Sequence, residues 1–362
     1  MRESSIEAER INRVVVRGTN WVGDAVMTIP ALRELRRVLP RAHITLATRP
    51  WAEGLFRDAD FLDEILIYDR PRRSPGALLR QVREWRSRSF DLAVLFQNAF
   101  EAAVIARLAR VPARLGYATD GRRPLLTHPV PLPVWRSERH EVFYYLNVVS
   151  ELERLLYGAS SVEESEPRFM LRVSEERKRD ALQVLSLRGT RPGRKLVALC
   201  PGSTNSRAKR WPAERFAALA DRFVEEMRAD VLLVGSRDEM EVSHEVSRLM
   251  RHKPVVLTGE TDLAQLTAIL SMVDLLVTND TGPAHISAAL GRPTLVIFGP
   301  TDPRTTRPFN ASAEIMMRPP DCAPCMLRDC PIDHRCMTAI SPEEVFERAS
   351  RMMSAAQVEV GA

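Results

Sequence analysis

Residues 274–298 read DLLVTNDTGPAHISAALGRPTLVIF, and the order of apolar and polar residues in this stretch decides the fold. Two near-continuous apolar runs, Asp274–Thr278 and Thr294–Phe298, are rich in Val, Ile and Leu and have the length of strands buried on both faces of a parallel sheet. Between them, the polar residues 279–281 can cap a helix, and Pro283 suits its first turn. The stretch therefore predicts a strand, a helix and a second parallel strand.

Apolar runs of the same kind recur along the chain. They are Arg13–Arg17, His43–Ala47, Glu64–Tyr68 and Asp91–Phe96 in the first half, and Leu196–Cys200, Asp230–Val234 and Val255–Leu257 in the second. Helical patterns separate the runs, one from Ala25 to Leu39, which Pro30 kinks or divides, and another over Pro212–Arg228. This alternation predicts an α/β protein with two doubly wound, Rossmann-like domains.

The length and composition fit this organisation. With 362 residues the chain is too long for one ordinary compact domain, and 45% hydrophobic and 27% charged residues are typical of globular proteins. The polar segment Arg188–Arg194 has the composition of a linker. We therefore expect an N-terminal domain over residues 1–185 and a C-terminal domain over residues 190–340. Because ligands of such sheets bind at the carboxyl ends of the strands, we expect the site in a cleft between the domains.

The sequence also bears on where the protein works. No run approaches the ~20 apolar residues that span a bilayer, and the opening residues MRESSIEAERINR lack the apolar core of a secretory signal. We therefore expect a cytoplasmic protein.

Basic residues are concentrated in the first half of the chain. The formal net charge is +5, and the concentrated arginines are Arg70, Arg72, Arg73, Arg80, Arg83, Arg86, Arg88, Arg107, Arg110, Arg114, Arg122 and Arg123. A basic surface there would favour an anionic partner, such as a nucleic acid, an anionic lipid surface or a phosphorylated glycan. The alternative is a set of solvated helix faces without a partner.

Four of the five cysteines form a cluster. Cys322, Cys325, Cys330 and Cys336 follow the pattern C-x2-C-x4-C-x5-C, whereas Cys200 stands apart. The odd count, without a secretory signal, argues against a disulfide framework. Four thiols at this spacing could hold a structural zinc ion, with His334 as a further ligand, or less readily an iron–sulfur cluster. The interpretation we favour is a loop of reduced or partly oxidised thiols, and we assign no metal ligands.

Two loops that follow predicted strands could hold a nucleotide. At 279–285, free amides at the helix start and the positive end of the helix dipole form an anion site. Gly282 lets a ligand approach the backbone closely, and His285 is either a buried histidine or lines the site. In 200–211, CPGSTNSRAKRW, Ser203 and Thr204 offer hydroxyl groups and Lys209 offers a compact charge for phosphate. This is not a Walker loop, and no G-x-G-x-x-G follows a predicted strand, so a nicotinamide enzyme is disfavoured.

Two further loops carry candidate carboxylates. After Gly235 and Ser236, Asp238 or Glu239 could cap a helix or hold a ribose, and capping is the favoured interpretation. In the first half, Asp24 lies where the first loop meets the first helix, so it either caps that helix or accepts a proton from a substrate hydroxyl.

Taken together, these segments resemble the heptosyltransferase family of bacterial lipopolysaccharide inner-core synthesis, glycosyltransferase family 9. The matching stretches are RGTNWVGDAVMTIPALRELRR from Arg17, FQNAFEAAVIARLARVPARLGYATDGRRPLLT from Phe96, CPGSTNSRAKRWPAERFAAL from Cys200 and NDTGPAHISAALGRPTLVIFGPTDP from Asn279. The resemblance runs from about Arg13 to Phe346, and the GTNWVGDAVMT wording is more similar to the heptosyltransferase II branch than to the heptosyltransferase I branch.

The resemblance implies a GT-B fold and a role for each matching residue. Asp24 matches the catalytic base, Asp280 the carboxylate that contacts the sugar, and Thr281 with Gly282 the pyrophosphate-binding helix start. Lys209, Ser203 and Thr204 match the phosphate-gripping loop, and Asp238 is a looser match to an acidic residue near the ribose. The substrate-binding residues expected on this basis are Ser203, Thr204, Lys209, Gly235, Asp238, Asp280, Thr281, Gly282 and His285. The resemblance also makes residues 341–362 a C-terminal helix that is a candidate for packing back on the first domain.

The implied reaction is an inverting transfer of L-glycero-D-manno-heptose from ADP-L-glycero-D-manno-heptose to heptosyl-Kdo2-lipid A, without a required cofactor or metal. Peripheral contact with the inner membrane surface would then explain the basic residues of the first half, since they would bind the anionic lipid A. The alternatives are heptosyltransferase I or another GT-B transferase with a different acceptor. A nucleic-acid-binding zinc protein is disfavoured, because the chain has no recognisable groove-reading helix or aromatic stacking motif.

Overall fold

The computed structural model describes residues 7–68, 75–162, 164 and 166–360. Three of the arginines named above, Arg70, Arg72 and Arg73, lie outside these ranges. The chain forms two compact units, Met1–Met170 and Leu171–Ala362.

The first unit is an alternation of strands and helices. Its elements are β1 (Arg13–Arg17), α1 (Val22–Met27), α2 (Ile29–Val38), β2 (His43–Thr48), α3 (Pro50–Phe56), β3 (Glu64–Ile67), α4 (Pro75–Ser87), β4 (Leu92–Leu95), α5 (Phe100–Leu108), β5 (Ala113–Tyr117), β6 (His128–Val130) and α6 (Glu141–Tyr157). The six strands form one sheet in the order β3-β2-β1-β4-β5-β6, and each neighbouring pair is parallel.

The buried strands of the first unit have the predicted apolar character. In β1, Val14, Val15 and Val16 are fully buried, and Val14 pairs with Ile44 on one side and with Leu92 on the other. A strand in the middle of a parallel sheet with helices on both faces has no solvent-facing side. The break expected near Pro30 is present, because α1 ends at Met27 and α2 begins at Ile29.

The second unit repeats the plan of the first. Its elements are α7 (Glu175–Leu187), β7 (Leu196–Cys200), α8 (Ala213–Met227), β8 (Asp230–Leu233), α9 (Met240–Leu249), β9 (Val255–Val256), α10 (Leu263–Leu270), β10 (Leu275–Asn279), α11 (Gly282–Ala289), β11 (Thr294–Phe298), α12 (Pro303–Thr306), β12 (Ala313–Met317), α13 (Arg335–Thr338) and α14 (Pro342–Val360). Its sheet has the order β12-β11-β10-β7-β8-β9, again with parallel pairs.

Both sheets have the same topology. Numbered within its own unit, each follows the order 3-2-1-4-5-6, which is that of the Rossmann fold. The strand order reverses between β1 and β4 in the first unit and between β7 and β10 in the second. Loops at the carboxyl ends of these four strands are therefore the expected ligand-binding positions.

The division between the units falls earlier than the sequence suggested. It lies between Met170 and Leu171 rather than at residues 185–190, and helix α7 belongs to the second unit, where it packs against α10. Arg177 on α7 donates a hydrogen bond to the Ala264 carbonyl at 2.7 Å, which fixes this contact. A polar linker-like composition at 188–194 therefore marked a loop inside the second unit and not the boundary.

The C-terminal helix α14 packs within its own unit. It contacts α8, where the Phe346 ring lies 5.3 Å from that of Phe223, and Val345 and Ala349 are fully buried. The second unit thus extends past the predicted limit at 340. That α14 also returns to the first domain stays a prediction.

Three strands of the structure were not predicted from the sequence, namely β5, β6 and β12. Strand β5 contains Arg114 and Gly116, and β6 contains Pro129, so neither shows a continuous apolar run. Within the described residues, no helix is both long enough and apolar enough to cross a bilayer.

Candidate functional site

Asp24 lies in the loop-to-helix junction at the carboxyl end of β1. The N-cap of α1 is Trp21, and Asp24 is the third residue of the helix, so the alternative that Asp24 caps the helix is wrong. Burial, together with the negative charge of nearby Glu141, raises the pKa of the Asp24 carboxyl from 3.8 to about 6, although Arg136 acts in the opposite direction. The carboxyl is therefore suited to accept a proton near neutral pH.

The two charges beside Asp24 form an ion pair. Arg136 Nη1 lies 2.6 Å from Glu141 Oε1, and Glu141 is the first residue of α6. His140 is the N-cap of that helix, and its Nδ1 accepts a hydrogen bond from the Val142 amide at 3.2 Å. Burial also raises the pKa of Glu141. Asp24 thus lies in the electric field of a partly buried ion pair whose position is fixed.

Arg136 packs on the ring of Tyr144, which begins a chain of hydrogen bonds that leads to the buried Arg122. The Arg136 guanidinium lies 4.0 Å from the centroid of the Tyr144 ring, and the Tyr144 hydroxyl accepts a bond from Asn98 Nδ2 at 2.8 Å. Asn98 Oδ1 in turn accepts a bond from Arg122 Nη2 at 2.8 Å, and Arg122 Nε donates to the Tyr117 carbonyl at 2.7 Å. Arg122 is completely buried, and burial lowers its pKa.

A second buried arginine ends β1. Arg17 Nη1 donates to Gln81 Oε1 at 2.9 Å and Arg17 Nε donates to Gln97 Oε1 at 3.0 Å. Its guanidinium also lies 3.5 Å from the centroid of the Tyr68 ring. Arg17 and Arg122 therefore place two positive charges at the reversal point of the first sheet.

The second unit brings Lys209 and Asp280 together at the carboxyl ends of β7 and β10. Lys209 Nζ donates to Asp280 Oδ2 at 2.7 Å, and Thr301 Oγ1 donates to the same oxygen at 2.7 Å. Asp280 is largely buried, while Lys209 keeps about a quarter of its side chain exposed. A substrate can thus meet the ammonium group of a lysine that the protein already holds in place.

Asn279 ties the two loops of this site to each other. Its Oδ1 accepts a bond from the Trp211 amide at 3.0 Å, and its Nδ2 donates to the carbonyls of Pro201 at 2.9 Å and Gly202 at 3.1 Å. The side chain is completely buried. It fixes the 201–211 loop against the end of β10, which explains why an amide side chain stands there.

The start of α11 is not capped by a side chain. Thr281 is the N-cap residue, but its hydroxyl lies 3.1 Å from the Thr278 hydroxyl and donates to the Asn279 carbonyl at 3.3 Å. The first turn, which begins at Gly282, is therefore left without a side-chain cap, as an anion site requires. His285 is buried on the same helix.

The remaining predicted residues surround the ends of β7 and β8. Ser203 is buried, and its carbonyl accepts a bond from Arg210 at 3.0 Å. Thr204 Oγ1 lies 3.4 Å from Ser236 Oγ, just after Gly235. The loop that follows β7 is therefore in contact with the loop that follows β8.

The capping role expected near residue 238 belongs to Glu239. Glu239 Oε2 accepts bonds from the Ser236 amide at 2.7 Å and the Ser236 hydroxyl at 2.9 Å, whereas Asp238 is exposed. The Glu239 carboxylate lies so close to Gly202 that a Cβ there would be 2.4 Å from it. Glu239 is thus part of the site, and the S-x-x-E spacing of a capping box is the signal that could have identified it.

Two other sequence interpretations concern the cysteine cluster and the arginines of the first half. Among the described residues, no three His, Cys, Asp or Glu side chains are placed to hold a metal ion. Cys322 and Cys330 are exposed and Cys336 is buried. Of the arginines assigned to a basic surface, Arg114 and Arg122 are instead buried.

Asp24, Lys209, Asp280 and Thr281 are site residues predicted from sequence, whereas the residues that contact or influence them in the structure were not predicted. Arg136 and Glu141 follow Asp24 by 112 and 117 residues, and Thr301 follows Asp280 by 21 residues, so only the fold brings them near. No local pattern around these three residues signals their role.

Comparison with known proteins supports the whole-chain resemblance. The family model of glycosyltransferase family 9 (heptosyltransferase) matches residues 78–335. A lipooligosaccharide heptosyltransferase 2 from Campylobacter jejuni is 28% identical over 347 residues, which cover 94% of this chain and 98% of that protein. The lipopolysaccharide heptosyltransferase 2 of Escherichia coli K12 is also 28% identical, over 84% of this chain and 87% of its own length.

Solved structures show the same fold. The glycosyl transferase family 9 protein from Veillonella parvula is 26% identical, covers 97% of this chain and 99% of its own, and gives a TM-score of 0.84. The ADP-heptose lps heptosyltransferase II of E. coli, at 24% identity, covers 95% and 99% with a TM-score of 0.80. The predicted GT-B class, with two doubly wound α/β domains, is confirmed. The chain belongs to glycosyltransferase family 9, the heptosyltransferase family, and is a glycosyltransferase.

Proposed function

We propose that this glycosyltransferase moves L-glycero-D-manno-heptose from ADP-L-glycero-D-manno-heptose to heptosyl-Kdo2-lipid A, with inversion at the anomeric carbon. The observation that carries the proposal is Asp24, a largely buried carboxyl whose pKa of about 6 makes it a base near neutral pH, at the carboxyl end of β1. Relatives named heptosyltransferase 2 that align over nearly their whole length support the choice of sugar and acceptor.

The second unit supplies the donor site of this proposal. The uncapped start of α11 offers amide groups and the positive end of the helix dipole to a diphosphate, and Lys209 adds a positive charge 2.7 Å from Asp280. Asp280 Oδ2 is already engaged by Lys209 and Thr301, so its remaining oxygen is the one available to a sugar hydroxyl. Ser203, Thr204, Gly235 and Asp238 are proposed to line the nucleoside end.

The first unit supplies the base and the acceptor site. Asp24 takes the proton of the acceptor heptose hydroxyl, whose oxygen attacks the anomeric carbon from the face opposite ADP. The transition state has oxocarbenium character, as in glycosyl transfer generally. The buried guanidinium groups of Arg17 and Arg122 give this region the positive potential that suits an acceptor carrying carboxylates and phosphates.

The leaving diphosphate is stabilised by protein groups in this proposal. Lys209 and the backbone amide of Gly282, at the positive end of the α11 dipole, act as donors that are fixed in place before the charge develops. We propose that turnover needs no added metal, and that the enzyme works at the cytoplasmic face of the inner membrane, where exposed arginines of the first unit meet anionic lipid.

The test is ADP release by purified protein from ADP-L-glycero-D-manno-heptose, with EDTA present. Heptosyl-Kdo2-lipid A and Kdo2-lipid A are compared as acceptors, and Asp24→Asn is assayed beside the wild type. We expect release that depends on heptosyl-Kdo2-lipid A and a loss of about 10²–10⁴ in rate for Asp24→Asn, with ADP affinity retained because the nucleotide site lies in the other unit. Preference for Kdo2-lipid A would indicate heptosyltransferase I specificity, and near wild-type turnover of Asp24→Asn would refute the assignment of the base.

A further inference from the structure

The segment that carries the cysteine cluster, residues 322–336, is hydrogen-bonded to the loop that carries Lys209. The Ala208 amide donates to the Arg328 carbonyl at 2.9 Å, and Ser206 Oγ donates to the same carbonyl at 3.2 Å. In the other direction, His334 Nε2 lies 2.6 Å from the Ala208 carbonyl. Both backbone polar groups of Ala208, the residue before Lys209, are therefore bonded to the 322–336 segment.

These bonds matter because Asn279 holds the loop only near its two ends, at residues 201–202 and 211, whereas Ala208 lies directly beside Lys209. Lys209 ends a three-residue 3-10 turn, Arg207–Lys209, in which only Ala208 is buried. So short a turn has no helical ladder to fix its orientation. The direction in which Lys209 leaves the turn, and hence its 2.7 Å contact with Asp280, depends on how Ala208 is held.

The same segment also contacts the loop that supplies the other partner of Asp280. The Met326 amide donates to the Pro300 carbonyl at 2.9 Å. A Cβ at Gly299 would lie 3.3 Å from Cys336 Sγ and 2.4 Å from Met337 Sδ, so this loop packs directly on the end of the segment. Thr301, which donates to Asp280 Oδ2, follows in that loop. The 322–336 segment thus supports both groups that bind Asp280.

We propose that the 322–336 segment sets the position of Lys209 in the donor site, with His334 as the positioning residue. The inference rests on the proposed nucleotide site of the second unit, and it gives the cysteine-containing segment a role in donor binding. His334 touches no substrate in this proposal, since it acts through Ala208.

His334 is suited to this task by its geometry. Its backbone has φ 56° and ψ 28°, a left-handed conformation, and it precedes helix α13 as the N-cap without a side-chain capping bond. The ring is thereby left for Ala208, and a neutral imidazole protonated at Nε2 or an imidazolium can each donate to that carbonyl. Loss of the ring would leave the Ala208 carbonyl without this partner.

The experiment measures ADP binding by calorimetry, which requires neither sugar nor acceptor. We expect His334→Ala to weaken ADP binding about tenfold, the effect of roughly one hydrogen bond and the associated loss of position. His334→Gln, whose amide can donate, should recover part of the affinity. His244→Ala is the matched control, because His244 is an exposed histidine on α9 of the same unit. If His334→Ala does not fold, Ser206→Ala removes the bond from Ser206 Oγ to the Arg328 carbonyl and should weaken ADP binding in the same direction.

A double-mutant cycle separates positioning from a general structural role. In a Lys209→Met background, His334→Ala should cause little further loss, since the group it positions is gone. Full additivity of the two substitutions, or unchanged ADP affinity in His334→Ala, would overturn the inference. Absence of ADP binding by the wild type would instead overturn the proposed nucleotide site.

Discussion

Replacing Asp24 by Asn should stabilise the protein at neutral pH while it removes turnover. The pKa of Asp24 is raised from 3.8 to about 6 in the folded protein, mainly by burial, so ionised Asp24 lowers the free energy of unfolding. The native state binds more protons than the unfolded state between these two values, and stability therefore falls as pH rises through that window. A neutral Asn does not titrate and carries no such pH-dependent cost.

The size of the effect follows from the two pKa values. Linkage gives a cost of about 2 kcal/mol at pH 5 and about 3 kcal/mol at pH 8, at 1.36 kcal/mol for each pKa unit. The stability of Asp24→Asn relative to the wild type should therefore rise by about 1 kcal/mol between pH 5 and pH 8. Side-chain effects of the substitution that do not depend on pH cancel in this difference.

The assay is urea unfolding of both proteins at several pH values from 5 to 8, followed by tryptophan fluorescence. Four of the five tryptophans, Trp21, Trp51, Trp85 and Trp135, lie in the first unit, so the signal reports mainly on the unit that contains Asp24. A stability difference that does not change with pH, or that falls as pH rises, would refute the reasoning that burial holds Asp24 as a poised base.

Two further predictions concern the surroundings of each site. Glu141→Gln removes the negative charge that helps to raise the Asp24 pKa and leaves the opposing charge of Arg136, so the acid limb of the kcat/KM profile for the acceptor should move to lower pH; an unmoved limb would show that Glu141 does not act on Asp24. Gly202→Ala places a Cβ 2.4 Å from the Glu239 carboxyl group and should lower the free energy of unfolding by about 1–3 kcal/mol, which is measured as a lower Tm. Gly76→Ala is the control that should not lower the Tm, because its Cβ has no neighbouring atom nearer than 3.9 Å.

The positions of most strands were predictable because a short run of apolar residues marks each of them. Continuous apolar runs gave β1, β7 and β11 with the bounds that the structure has, since strands buried on both faces leave no room for polar residues. A strand was missed where a charged residue interrupts its apolar run, as Arg114 does in β5. Arg114 can be buried there because its guanidinium donates hydrogen bonds to backbone carbonyls rather than to solvent.

The boundary between the units shows a different limit. A polar segment at 188–194 resembles a linker, yet α7 before it is bound to the second unit through Arg177 and Ala264. Composition reports on solvent exposure, whereas unit membership depends on which distant helix a given helix packs against. Exposure and packing partner are independent, and sequence composition carries only the first.

By itself, the sequence determined the class of the fold and predicted which residues carry chemistry: Asp24 at the start of a helix, Lys209 in a loop, and Asp280 and Thr281 after a buried strand. Only the tertiary structure decided what these groups can do. It placed Glu141 and Arg136 beside Asp24, Thr301 beside Asp280, and His334 against the residue before Lys209. The reason is physical: a side chain's identity is local, but its pKa and its orientation depend on burial and on charges and hydrogen bonds supplied by residues far away in the chain.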